Sequence, residues 1–257
     1  MRLLVLITCV IALAFWSSHT AIADFAMEFF GDAGDSAFAP DSDSLDVVGK
    51  TFTMEAWAKA TGPQNGDGII INKENAYECA LRNGDQFMFA IHAGAWDWFG
   101  GGKPKMNEWH HFAVTYDGKT TQGWIDGKAA PGATDRNNQN ITKQDGDGSP
   151  FQVGRRVCCG GTPFLGIIDE VRISDVVRYT KNFTPPEREF EPDKNTRVIW
   201  HFNEGRGKVI NDASGNKNTG EVIGKATWSK DAAPIKPAAV DPGGKVSTMW
   251  GRLKVNY

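Results

Sequence analysis

The chain has 257 residues, with 28 Lys and Arg against 31 Asp and Glu, a formal charge of −3 at neutral pH. No basic face stands out, which excludes nucleic acid as an expected partner. Outside the first 23 residues no run is apolar enough to cross a membrane, so no transmembrane segment is expected once that stretch is removed.

In chain order, the N-terminus comes first. Arg2 is the only charged residue before Asp24, and an apolar run from Leu3 to Trp16 follows it. A polar stretch, Ser17 to Thr20, leads to Ala21-Ile22-Ala23, a small-x-small pattern. Basic start, apolar middle and cleavage pattern read as a signal peptide over residues 1–23. The expected location is therefore secreted, extracellular or at the cell surface, with the periplasm as another oxidising destination. Cys9 would leave with the signal, and Cys79, Cys158 and Cys159 would remain. Either Cys158 pairs with Cys159, or one of them pairs with Cys79. A bridge between neighbours is strained, because adjacent Cα atoms sit closer than a relaxed disulfide prefers.

Helical periodicity is nearly absent. Short runs of Val, Ile, Phe, Trp and Thr alternate with Gly, Asp, Asn and Pro, the pattern of an all-β, two-sheet antiparallel sandwich. The expected strands are Ala26–Phe30, Phe52–Ala58, Gly68–Asn72, Tyr77–Arg82, Gln86–Ala93, Trp109–Tyr116, Gln122–Ile125, Phe151–Gly154, Phe164–Ser174, Val198–Phe202 and Thr219–Ile223. Asn83-Gly84-Asp85, Asp117-Gly118-Lys119 and Asp126-Gly127-Lys128 supply the turn chemistry of tight hairpins. Asp175–Tyr179 is expected to form one helical turn. One domain is expected over 24–230. Residues 231–257 read as a Pro/Gly-rich linker and a tail, Met249 to Lys254, that is apolar and basic.

Four segments carry a resemblance. They are Phe29-Phe30-Gly31-Asp32 with Asp35; Phe52 to Lys59; Glu108 to Gly118 followed by Trp124-Ile125-Asp126-Gly127-Lys128; and Phe164 to Ser174. In this order and spacing, the chain resembles the laminin-G-like, concanavalin A-type lectin/glucanase jelly rolls over Met27 to Thr227. The resemblance implies the fold, not a function. The segment Ile199 to Gly205 with Asp212 to Asn216 is similar to one that precedes the core in many relatives. Here it follows: either it closes the sandwich as an edge strand or it opens a truncated second domain, and the few residues left after it favour the first.

Parity then sorts faces. Phe87, Phe89 and Ile91 should face the core, as should Phe112, Val114 and Tyr116. Met88, Ala90 and His92, and Trp109, His111 and Thr115, should line outer faces. Continuing the first strand puts Trp96 and Trp98 beside His92, between Gly94 and Gly100-Gly101-Gly102. Tryptophans at a flexible surface can stack on sugar rings, so these three form the expected ligand site. Asp169 shares parity with Leu165, Ile167, Val171 and Ile173, and a carboxylate on an apolar face needs a partner. The resemblance implies a structural calcium there, with Asp32 and Asp35 from the opening loop as further oxygen donors. The alternative is that Asp169 accepts backbone or Arg hydrogen bonds, with Arg172 a local candidate. Asp145-Gly146-Asp147-Gly148 reads as a turn rather than a full calcium loop.

Catalytic patterns are missing. The resemblance would bring a Glu-x-Asp-x-Glu strand for glycoside hydrolysis, and none occurs. Glu74 and Glu78 straddle Asn75-Ala76-Tyr77, a spacing that does not set them side by side on one strand. The histidines show no zinc spacing, and no nucleophile elbow appears. The expected function is a secreted, non-catalytic module that binds carbohydrate or an extracellular or cell-surface protein. The alternative is a structural or adhesive surface component with the C-terminal tail as its sorting or anchoring signal, and a glycoside hydrolase ranks last.

Overall fold

The computed structural model describes residues 24–136, 138–142, 148–160 and 162–238. The expected signal peptide, Asp145 to Asp147 and the Met249 to Lys254 tail lie outside the described residues. Among those described there is no helix. The strands are β1 Ala26–Phe30, β2 Ser36–Ala39, β3 Phe52–Ala60, β4 Gly68–Lys73, β5 Tyr77–Arg82 and β6 Gln86–Ile91. Next come β7 Phe99–Gly100, β8 His110–Tyr116, β9 Thr120–Ile125, β10 Lys128–Ala129, β11 Thr134–Asp135 and β12 Phe151–Val153. The last five are β13 Leu165–Ser174, β14 Thr196–Trp200, β15 Val209–Ile210, β16 Gly220–Ile223 and β17 Thr227–Ser229.

They form two antiparallel sheets. One runs β10-β9-β8-β3-β13-β1-β17, with β11 on β9 and β14 on β13. The other runs β15-β16-β2-β12-β4-β5-β6-β7. Turn chemistry sets the hairpins where the sequence places it: Asn83, Gly84 and Asp85 all have positive φ between β5 and β6, as do Asp126 and Gly127 between β9 and β10. The expected helical turn at Asp175–Tyr179 does not form; those residues run as an irregular strap, which starts with Asp175 N–H bonded to Asn195 O and Thr53 Oγ1 donating to Val176 O.

Alternating residues of both sheets interleave into one core. Met54, Ala56 and Ala58 meet Phe112, Val114 and Tyr116 on one side and Phe87, Phe89 and Ile91 on the other. Ring pairs tie the layers, such as Phe87–Phe112 at 4.8 Å and Phe151–Trp200 at 5.0 Å between centroids. The segment after β13 closes the sandwich by serving both sheets. β14 joins β13, β16 pairs β2, and β17 pairs β1. Contacts also continue past residue 230. Asp231 pairs with Lys59, Ala233 N–H bonds Asp169, and Lys236 bridges Arg188.

One bulge reverses an expectation. β13 pairs Asp169 with Trp57 but Arg172 with Glu55, so Glu170 and Val171 on one strand oppose Ala56 alone on the other. Glu170 sits in the left-handed region at φ 48°. The extra residue flips the parity. Core residues are Ile168 before the bulge and Val171 and Ile173 after it. Asp169 therefore shares the outer side of the sheet with its cross-strand partner Trp57, not the core side with Val171.

Candidate functional site

The outer face of the nine-stranded sheet is closed. Glu55, His111 and Thr115 are buried, although parity placed the latter two on an outer face. The strap after β13 lies over them: His111 meets Tyr179, Phe183 and Phe190 edge-on, and Tyr179 stacks on Phe183 at 3.6 Å. Glu55 accepts from Arg172 at 2.8 Å and Tyr179 Oη at 2.7 Å, and lies 3.2 Å from His111 Nε2. Burial works to raise its pKa, but the Arg172 charge and the His111 and Tyr179 bonds prevail and hold it at about 2. This is an ion-pair network under a lid of rings, and a cavity of about 350 Å³ lined by Arg172, Phe190 and Glu187 to Glu189 lies beside it.

The three carboxylates expected to share calcium do not fit one ion. Asp169 accepts the N–H of Glu170 at 2.8 Å and of Ala233 at 2.9 Å, and burial, then Glu170, pushes its carboxyl well above the usual range. Asp32 instead pairs with Lys225 Nζ at 2.8 Å, and Asp35 accepts the Lys225 N–H at 2.7 Å. Gly31 bonds Phe164 O, so this loop lies at the start of β13, about 13 Å along the strand from Asp169 at 3.3 Å per residue. Among the described residues no three His, Cys, Asp or Glu side chains come together as a metal set.

The outer face of the eight-stranded sheet is different. Register places Glu221, Phe38, Gln152, Asn72, Glu78 and Ala90 side by side on successive strands β16, β2, β12, β4, β5 and β6. Three of them are buried polar residues, Gln152, Asn72 and Glu78. The turn after β12 covers them. Gly154 starts it at φ 86°, and a Cβ there would stand 2.3 Å from the Phe29 ring, so only glycine fits. Arg156 then reaches in to Glu78 at 3.2 Å and Asp67 at 3.2 Å. Cys158 and Cys159 form a disulfide with each other at the tip, and Cys158 Sγ lies 3.5 Å from Glu74. Cys79 is a buried free thiol on the core side.

Four polar atoms in this patch have no partner: Asn72 Oδ1, Glu78 Oε2, Gln152 Oε1 and Arg156 Nε. A buried unsatisfied group costs about 1–3 kcal/mol, so four in one place are expensive for a fold that gains nothing from them. Burial lifts Glu78 to about 8; Arg156 opposes the rise and the charge of Glu74 adds to it. Glu74, in the turn between β4 and β5, and Glu78, on β5, do not sit side by side on one strand, yet the hairpin brings them into each other's field.

The tryptophans belong to the same face. β6 ends at Ile91, and a loop rather than a continued strand carries Trp96 and Trp98. Both are half-buried and meet edge to face at 6.4 Å. The Arg82 guanidinium lies 3.9 Å over the Trp98 ring and bonds Asp67 at 2.6 Å. A chain of contacts therefore runs Trp98–Arg82–Asp67–Arg156–Glu78. His92 Nδ1 lies 2.9 Å from Thr142 Oγ1, and its N–H bonds Ala76 O, so its ring is held at the sheet edge. Beyond Gln152, a groove of about 330 Å³ is lined by Phe38, Ile223, Val157, Arg155 and Glu221. Sequence reasoning singled out the tryptophans as candidates. It missed Asn72, Glu78, Gln152 and Arg156, which are up to 84 residues apart and carry no local motif.

Comparison with known proteins follows this geometry. No curated protein matches the sequence. A solved structure from Bacteroides ovatus ATCC 8483, provisionally described as carbohydrate binding, superposes with a TM-score of 0.66 at 20% identity. The match covers 83% of this chain but 61% of that one, so this chain spans about three fifths of its relative's length. Domain 4 of an extracellular arabinanase from Geobacillus stearothermophilus, solved with arabinotriose, matches at 18% identity and a TM-score of 0.41, covering 61% of this chain and 84% of that one. Mouse laminin α1 domains LG4-5 match at 12% identity and 0.44, covering 63% and 46%. At such identities these likenesses show the fold alone. A family model described as the concanavalin A-like lectin/glucanases superfamily matches residues 31–181, more than half of the sequence, and the chain belongs to that superfamily.

Proposed function

We propose that the protein is a secreted, non-catalytic module that binds carbohydrate on the outer face of the eight-stranded sheet. The observation that carries this reading is the half-exposed Trp96–Trp98 pair, braced by Arg82 and joined through Asp67 and Arg156 to buried hydrogen-bonding groups. Aromatic rings offer sugars an apolar surface, and amide, carboxylate and guanidinium groups meet their hydroxyls. The description of the Bacteroides ovatus relative points the same way. Secretion is supported by the N-terminal pattern and by a disulfide at Cys158–Cys159, which persists in oxidising compartments.

The test is affinity electrophoresis and calorimetry against a panel of soluble polysaccharides. Trp98→Ala should weaken binding at least tenfold, about 1.4 kcal/mol, with an unchanged melting temperature. Binding that survives Trp96→Ala and Trp98→Ala together would remove this face from consideration. Reducing sugar released from any polymer would overturn the non-catalytic part.

A further inference from the structure

The Trp pair explains adhesion to a sugar but not a choice among sugars. The four unpartnered atoms bear on that choice. Asn72 lies directly opposite Gln152 on one side and Glu78 on the other, so their side chains rise from one row of the sheet. Each is at most 5% exposed. Gln152 also lines the neighbouring groove, whose apolar lining includes Phe38, Ile223 and Val157. The groove is thus a partly apolar trough, with Arg155 and Glu221 also in its lining, that ends at a row of unpartnered polar groups.

The chemistry of the set is asymmetric. Asn72 Oδ1 and Gln152 Oε1 are acceptors, Arg156 Nε is a donor, and Glu78, raised to about 8, holds its proton at neutral pH and can both donate and accept. A cation would meet the Arg156 guanidinium already seated on Glu78 and Asp67. An anion would meet the Asn72, Gln152 and Glu78 oxygens. Neutral hydroxyls fit, because each can donate to an oxygen and accept from Arg156. The segment from Arg155 to Gly160 reaches the row through Arg156 on Glu78 and Cys158 beside Glu74, and Gly154 and Gly160 on either side are both at positive φ.

Resting on the carbohydrate-binding reading above, we propose that the row Gln152–Asn72–Glu78 is a specificity pocket for the hydroxyls of a neutral sugar. The sugar lies in the Phe38–Ile223 groove, and the Arg155–Gly160 segment lifts to admit its hydroxyls. The consequence is selection of neutral over uronate-bearing or sulfated glycans.

The experiment compares the full chain with Gln152→Met and Asn72→Leu, near-isosteric changes that remove unpartnered acceptors. Ligands are neutral arabinan, β-glucan and galactomannan, and acidic polygalacturonate and alginate. The unmodified protein should bind at least one neutral polymer tenfold more tightly than either acidic one. Both variants should melt at or above the unmodified temperature and lose at least tenfold in affinity for that polymer. Variants that bind as before would mean the row holds trapped water only, and would overturn the proposal while leaving the Trp-based reading intact. Equal or tighter binding of acidic polymers would overturn it too. Failure of every glycan would remove both readings. If a variant does not fold, hydrogen exchange of the unmodified protein decides. Ligand should alter exchange at Arg155 to Gly160, and a change confined to the Trp96–Trp98 loop would reject the pocket.

Discussion

Two glutamates with opposite shifts set the response to acid and base. Glu55 is held at about 2 against an ordinary 4.5, so the folded state binds its proton less readily than the unfolded chain. Its contribution is complete above about pH 4.5 and is lost as pH falls toward 2, on the order of 3 kcal/mol. Glu78 is raised to about 8, so folding favours its protonated form, and that stabilisation is lost as pH rises from 4.5 through 8. The melting temperature should peak near pH 5 and decline toward pH 8. Glu78→Gln should make that upper limb shallower in a pH series of thermal melts, with buried Asp169, raised in the same direction, supplying what slope is left. Glu55→Ala strands Arg172 under the strap and should cost about 3–5 kcal/mol in urea unfolding. Chelators should leave the melting temperature unchanged, because Asp169 and Asp32 each already have protein partners. At this scale the sequence marked Asp169 as a carboxylate needing partners. Backbone bonds were one of the readings it offered; it could not show which amides supply them, one coming from a segment 64 residues away.

Among the elements, the bulge in β13 and the turn after β12 decide the most. Hairpin turns were legible because Asn-Gly and Asp-Gly encode positive φ within the turn itself. The bulge was not, since nothing in Asp169-Glu170 announces a left-handed residue, and one unseen residue inverted the face of Asp169. The short strands β2, β7, β10, β11, β15 and β17 were missed for a related reason. At two to four residues they are too brief to show a period, and they exist because a longer neighbour offers them an edge. The covering strap after β13 has no period either, so His111 and Thr115 read as surface. The turn after β12 is testable through Gly154→Ala. It forces a Cβ against Phe29 at an unfavourable φ, and should destabilise by about 3 kcal/mol and loosen the hold of Arg156 on Glu78.

Over the whole molecule, the fold class and the closing role of the late segment were readable, because turn chemistry and strand alternation are local. The candidate site was only half readable. Trp96 and Trp98 are neighbours in sequence, whereas Asn72 and Gln152 meet only because β12 inserts between β2 and β4. The ordered contacts running past residue 230 make a further prediction. A chain ending at Lys230 loses the Ala233 amide on buried Asp169 and the Asp231 partner of Lys59 and Trp109. It should be less stable by about 2 kcal/mol than one ending at Ala238, as read from urea midpoints.

The late strands also impose an order on synthesis. β1 and β2, the first to leave the ribosome, each have one flank completed by a strand near the end of the chain, β17 and β16. Until roughly the last tenth of the chain is made, two strand edges stay open and the sandwich cannot lock. Such non-local pairing delays the final folding step. Under the secretion proposed above, a chain whose early strands wait for β16 and β17 would stay loose enough to be threaded through a narrow translocation channel and harden only on the far side.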